Sequence, residues 1–187
     1  MQQLIGCLTI MLLAAAPMHV AARDLVLTLV IYNHAHVADE TLSQAEKTAS
    51  EIFERAGVQL FWIEGFAYAA ERQKAEIPPP EDPARLVVKL QPESEAARYG
   101  VRPVCGGIGF DSGAIIFVRS FDATWLGYIM AHEPGHILLG PNAHALVGIM
   151  RGTLLRDDWE KAAQGTLSFT RSQAKQIRRW ITKRKLS

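Results

Sequence analysis

Cysteine is nearly missing from this chain: 187 residues contain two, Cys7 and Cys105. Cys7 lies inside an apolar N-terminal stretch that reads as a removable leader, so no internal disulfide is expected in the mature domain. Its stability must come from a packed core, for which the remaining length suffices. Cys105 is then either a buried, inert side chain or a free thiol. Net charge is also lacking, with 20 basic side chains against 19 acidic ones. The two signs are interspersed up to the basic end RSQAKQIRRWITKRK. This balance gives no electrostatic reason to expect nucleic acid as a partner, and the tail reads as the solvated face of a last helix or a contact for acidic lipid or polymer. No second long apolar run follows the first, so no stable transmembrane anchor is expected. Repeats and low-complexity tracts are missing too.

The chain opens MQQLIGCLTIMLLAAAPMHVAARD, an uncharged apolar run from Leu4 to Ala16 followed by small residues. This fits a secretory signal cleaved after Ala22, although the usual basic start is missing. A buried N-terminal helix is the competing reading. Leu4, Ile5, Gly6 and Cys7 resemble a lipoprotein box, but most of the apolar run comes after that cysteine rather than before it. The expected organisation is a signal peptide at 1–22 and one domain at 23–187, secreted or periplasmic and monomeric.

Hydrophobic periodicity orders the domain. DLVLTLVIYN at 24–33 is a β-branched and leucine run suited to a strand covered on both faces. Leu42, Ala45, Ala49, Ile52 and Phe53 recur at helical spacing from Asp39 to Arg55, with Asp39 or Thr41 as cap and Gly57 as terminator. VQLFWI at 58–63 is a second strand, so the chain begins with a parallel crossover and the fold class is α/β. AEIPPPEDPA reads as a surface loop before the strand at 84–91. GGIGF at 106–110 and GAIIFV at 113–118 flank an Asp111-Ser112 turn. If the second of these lies at a sheet edge, its free backbone groups can pair with an extended peptide; otherwise it simply completes the sheet. Asp122 can cap a helix through Trp125, Leu126, Ile129 and Met130 that Gly140 and Pro141 end. A short helix around 157–163 and a last helix capped near Thr170 complete the expected order, the latter burying Ala174, Ile177, Trp180 and Ile181.

The chemistry concentrates in AHEPGHILLGPNAH, 131–144. On a helix His132 and His136 project from one face one turn apart, so two imidazoles can converge on one zinc ion, with Glu133 placed to reach a water there. A catalytic zinc wants a third protein ligand and an open position. His144 is the nearest candidate, because the Gly140-Pro141 break lets the chain turn back. Glu160, in DDWEKAA, is the rival. Pro134 stands inside the motif; it lacks the N–H that would pair with the Met130 carbonyl and biases Glu133 away from helical angles unless Gly135 absorbs the distortion.

HEPGHILLGPNAH followed by GIM at 148–150 resembles the metzincin clan of zinc endopeptidases, whose pattern is HExxHxxGxxH with a methionine turn downstream. The chain also resembles predicted secreted bacterial proteins with an extended HExxH motif. The resemblance is strongest over Trp125 to Arg151. It implies a metzincin-like zincin domain with a mixed twisted sheet, an active-site helix and a mainly helical C-terminal part. It further implies His132, His136 and His144 as zinc ligands, Glu133 as general base, Gly140 as the turn between ligands and Met150 as the residue beneath the metal. The spacing departs from the pattern: Gly140 is four residues after His136 and His144 eight after it, one residue more on each side of the glycine. The expected function is therefore a zinc-dependent endopeptidase acting on peptide or protein substrates. A catalytically weak zinc protein that binds peptides or an envelope component is the alternative, motivated by Pro134. A metal-free interaction domain would leave the histidines and GIM as coincidences. A role for Cys105 in capping the zinc has no propeptide to support it.

Overall fold

The computed structural model describes residues 25–67, 69, 82–100, 106–110, 112–119, 122–140 and 143–186. The signal segment, Cys105, most of the proline-rich loop, Asp111, Pro141 and Asn142 lie outside the described residues.

The first strand, β1, spans Leu25–Asn33, and Leu27 through Ile31 are buried without interruption, as befits a central strand covered on both faces. Helix α1 spans Asp39–Arg55 and sinks Ala45, Ala49, Ile52 and Phe53. Neither Asp39 nor Thr41 caps it: the cap position is Ala38, with no side-chain hydrogen bond. Asp39 and Glu40 instead occupy the first turn, where their charges complement the helix dipole. Strand β2 (Val58–Glu64) follows. Then come β3 (Arg85–Pro92), a 3-10 helix over Glu93–Tyr99, β4 (Gly107–Phe110) and β5 (Gly113–Val118). The 3-10 helix has no counterpart in the sequence expectations.

The five strands form one mixed sheet in the order β2-β1-β3-β5-β4. All pairs are parallel except the β4-β5 hairpin, in which Phe110 faces Gly113 and Gly107 faces Ile116. The edge on this side is therefore β4, the first hairpin strand, while β5 is an interior strand flanked by β3. Of the two alternatives for β5, the structure takes the one in which it completes the sheet: its Ala114-Ile115-Ile116-Phe117 run is buried throughout, whereas Gly109 and Phe110 of β4 are exposed.

Side-chain parity divides the core. Leu27, Leu29, Ile31, Leu86, Val88, Leu90 and Ile116 face the helices, while Ile115 and Phe117 pack with Ala96 of the 3-10 helix on the opposite face. Helix α2 (Ala123–Leu139) is capped by Asp122, whose carboxylate accepts from the Trp125 N–H at 2.7 Å. It lies deep enough that residues from Leu126 to Ala131 are all buried. Helices α3 (Arg156–Ala163) and α4 (Arg171–Leu186) close the C-terminal part. Thr170 and Gln173 exchange hydrogen bonds of a capping box at the start of α4, the Thr170 N–H donating to Gln173 at 2.9 Å. Ala174, Ile177 and Ile181 are buried on α4, and Trp180 packs against the same core while partly exposed. Among the described residues no helix is long and apolar enough to cross a membrane.

Gly127 sets how closely α2 approaches α1. A Cβ there would lie 2.5 Å from the Thr48 Cβ and 2.6 Å from the Ala45 carbonyl oxygen. Helix propensity alone favours alanine over glycine by about 1 kcal/mol, but overpacking costs about 1–3 kcal/mol, so the clash decides the sign. Gly127→Ala is expected to destabilise the domain, read as a lower denaturant midpoint at unchanged slope.

Candidate metal centre

Helix α2 carries the first two ligand candidates into the molecule. The helix runs unbroken through Pro134, which is itself buried. Gly135 gives room for a close approach: a Cβ on it would meet the Met150 sulfur at 2.6 Å and the Phe169 ring at 3.1 Å. The glycine lets Met150, fully buried, press against the underside of the helix at the level of the histidines.

Met150 is held by a turn. Gly148, at φ 78°, takes the left-handed conformation, and the Arg151 N–H closes back on its carbonyl at 3.1 Å. The Ile149 N–H bonds to the Ser168 carbonyl, and the Met150 carbonyl accepts from the Ala145 N–H. The Ile149 carbonyl is thereby aimed at α2, where it lies 2.7 Å from His132 Nδ1. A carbonyl only accepts, so Nδ1 carries the proton and the lone pair of His132 sits on Nε2. Sequence reading assigned Met150 to this turn but missed the Ile149 carbonyl, which orients a ligand in the way metal sites commonly require.

His136 Nε2 stands 3.0 Å from His132 Nε2. Gly140, at φ 100°, ends the helix, and the chain returns to bring the His144 ring centroid within 4.7 Å of that of His136 and 5.6 Å of that of His132. One ligand atom from each of the three imidazoles lies within 4.8 Å of the others. Tetrahedral zinc with bonds of about 2.0–2.1 Å places its nitrogens about 3.3 Å apart. The His132–His136 pair, at 3.0 Å, is near that spacing; the wider gap, within 4.8 Å, involves His144, whose ring is exposed. The donor set therefore fits a metal ion of imidazole-binding type. Glu160 does not join it: on the exposed face of α3 its carboxylate pairs with Arg156 at 3.3 Å.

Burial adjusts the electrostatics. It pushes the His136 pKa down to about 4, with the neighbouring His132 and His144 adding to the effect. His132 is lowered by burial, opposed by its bond to Ile149. Both rings are thus neutral near pH 7, free of proton competition for a metal. Glu133 is only 5% exposed, and burial raises its pKa from 4.5 to about 7. Its cover is strand β4: a Cβ at Gly107 would strike Glu133 Cγ at 2.7 Å. The glycine at 107 is what allows β4 to lie over the base candidate, a contact that sequence spacing alone does not reveal.

These groups line one cleft of about 1530 Å³. Its walls include β4 residues, Trp125 stacked on Trp159 at 4.3 Å between centroids, and Arg151. No family model matches the chain, and no curated protein matches it either.

Two measurements probe this centre. His144→Ala should lose bound metal on dialysis against a weak chelator, while Glu160→Ala should retain it; the reverse order would reassign the third ligand. The second concerns the metal-free protein. A carboxyl whose pKa rises from 4.5 to about 7 on folding stabilises the fold below pH 4.5, and that contribution disappears as pH rises through 7. The lowered histidines act in the opposite sense, weakening the fold as pH falls, but they are common to native protein and Glu133→Gln. The variant should therefore melt at the same temperature as the native chain near pH 4.5 and about 5 °C higher at pH 8.

Proposed function

We propose that this chain is an exported, zinc-dependent endopeptidase of metzincin kind, acting on peptide or protein substrates. The observation that carries the reading is the convergence of three imidazoles beside a buried carboxyl in an open cleft. The size of the cleft supports an extended ligand: small-molecule pockets are usually about 300–1000 Å³. Zinc at His132, His136 and His144 would supply Lewis acidity, polarising the scissile carbonyl and making water acidic. Glu133 takes the proton from the attacking water at its carboxylate and passes it to the leaving nitrogen. A pKa near neutrality suits both halves of that transfer, since the group must accept and then release the same proton. His132 is kept in one tautomer and one orientation by Ile149, so that donor does not have to reorganise during the reaction.

Glu133→Gln is expected to lower peptide turnover by about 10²–10⁴-fold while zinc content and the folded state persist, because glutamine keeps the shape but cannot accept the proton. Pro134→Ala restores the backbone N–H without adding volume and should leave turnover equal or higher. The assay is a broad peptide library digested before and after chelation and zinc restoration. A zinc-loaded native protein that cleaves nothing would overturn the hydrolase reading in favour of a zinc protein that binds peptides without cutting them.

A further inference from the structure

Arg151 follows Met150 directly and sits between two residues that touch the ligand cluster. The Ile149 carbonyl holds His132, and the backbone at Gly152 is so close to His144 that a Cβ there would lie 2.9 Å from its Nδ1. The side chain lines the same cleft. Its Nε is buried and lies 2.9 Å from the Asp158 carboxylate, an ion pair whose N–H is not aligned as a hydrogen bond; that carboxylate is 1% exposed and accepts the Leu155 N–H at 3.0 Å. The side chain as a whole keeps 19% exposure, which therefore belongs to its other atoms. Among the described residues Asp158 is the guanidinium's ion-pair partner, through Nε. The other two arginines of the cleft wall are engaged elsewhere, Arg119 with Glu93 at 2.6 Å and Arg184 over the Trp180 ring at 4.7 Å.

A guanidinium held beside a buried anion, on a side chain that lines the cleft, offers its terminal N–H groups as a planar fork, the geometry that takes a carboxylate through two parallel hydrogen bonds. Fixing the head beforehand removes most of the side-chain entropy that a free surface arginine loses on binding. We propose that Arg151 is a specificity-determining residue that selects substrates carrying a carboxylate close to the cleaved bond, either an acidic side chain or a free C-terminus. Asp158 is its positioning residue. The assignment rests on the peptide-hydrolase reading of this cleft and narrows the substrate class it serves.

The test is a binding titration read by tryptophan fluorescence, since Trp125 and Trp159 both line the cleft. It uses Glu133→Gln protein, with zinc and after chelation, so that turnover does not enter. The probes are short peptides blocked at both ends, carrying one aspartate or one asparagine at each position in turn, and the asparagine peptides with a free C-terminal carboxylate. At least one acidic peptide is expected to bind about ten-fold or more tightly than its neutral match. The aspartate and free-terminus arms separate the two sources of the carboxylate. Arg151→Met alone would leave Asp158 buried without a counter-charge and can unfold the segment, so the deciding variant is R151M/D158N, which removes both charges. In it the acidic advantage should vanish while affinity for the neutral peptides is unchanged. Arg151→Lys, which keeps the charge but not the fork, should retain only part of the advantage. Equal binding of acidic and neutral peptides, or an advantage that survives in R151M/D158N, would overturn the role of Arg151 and leave the peptide site standing. Failure of every peptide to bind would remove both.

Discussion

The hydrogen bond from His132 Nδ1 to the Ile149 carbonyl joins the two pieces of chain from which the metal centre is made. One is a helix running through the core; the other is a turn held by its own backbone bonds to residues 145, 148 and 168. Because the bond consumes the Nδ1 proton, it fixes which nitrogen of His132 is a donor to metal and where that lone pair points. It also sets the height at which Met150 meets Gly135, and hence the position of Arg151 one residue further on. Ligand orientation, packing beneath the ligands and the charge on the cleft wall all follow from one contact between segments.

Backbone proximity builds the rest of the centre. At Gly107, Gly135 and Gly152 a single added carbon would fall within 3 Å of Glu133, Met150 and His144 respectively. Strand β4, the Met150 turn and the segment after it thus lie against the site with main chain where most proteins would interpose side chains. The result is a carboxyl covered by a strand, with a pKa near 7, beside imidazoles held neutral. Burying an ionisable group in this way opposes folding, and the surrounding core of β1, β3, α1 and α2 offsets it. A proton carrier suited to neutral pH and a locally less stable fold are two consequences of the same desolvation.

The zinc-endopeptidase reading is an inference to which the donor set and the cleft lend support, whereas the metzincin resemblance and the export of the chain rest on sequence pattern alone. The root of that reading is chemical: three converging imidazoles beside a buried carboxyl form a site for a metal and a mobile proton, in a cleft of about 1530 Å³. Arg151 adds a fixed positive charge to that wall, so the same site has a sign preference as well as a shape.

Local pattern determined a great deal. The strand at 25–33, the helix at 39–55, the Asp122 cap, the α4 capping box and the i, i+4 placement of His132 and His136 all arise from interactions within a few residues, so periodicity and capping chemistry express them directly. Tertiary structure decided what depends on residues far apart in the chain. It put β4 rather than β5 at the sheet edge, because parallel pairing of β5 with β3 takes up the other side of that strand. It capped α1 with no side chain, since burial of its apolar face holds the helix regardless. It brought His144 to the helical pair and left Glu160 on the surface, laid Gly107 over Glu133, and set Ile149 against His132. Glycine in a sequence marks permission for a close approach, but which atom makes that approach is fixed only when the core has packed.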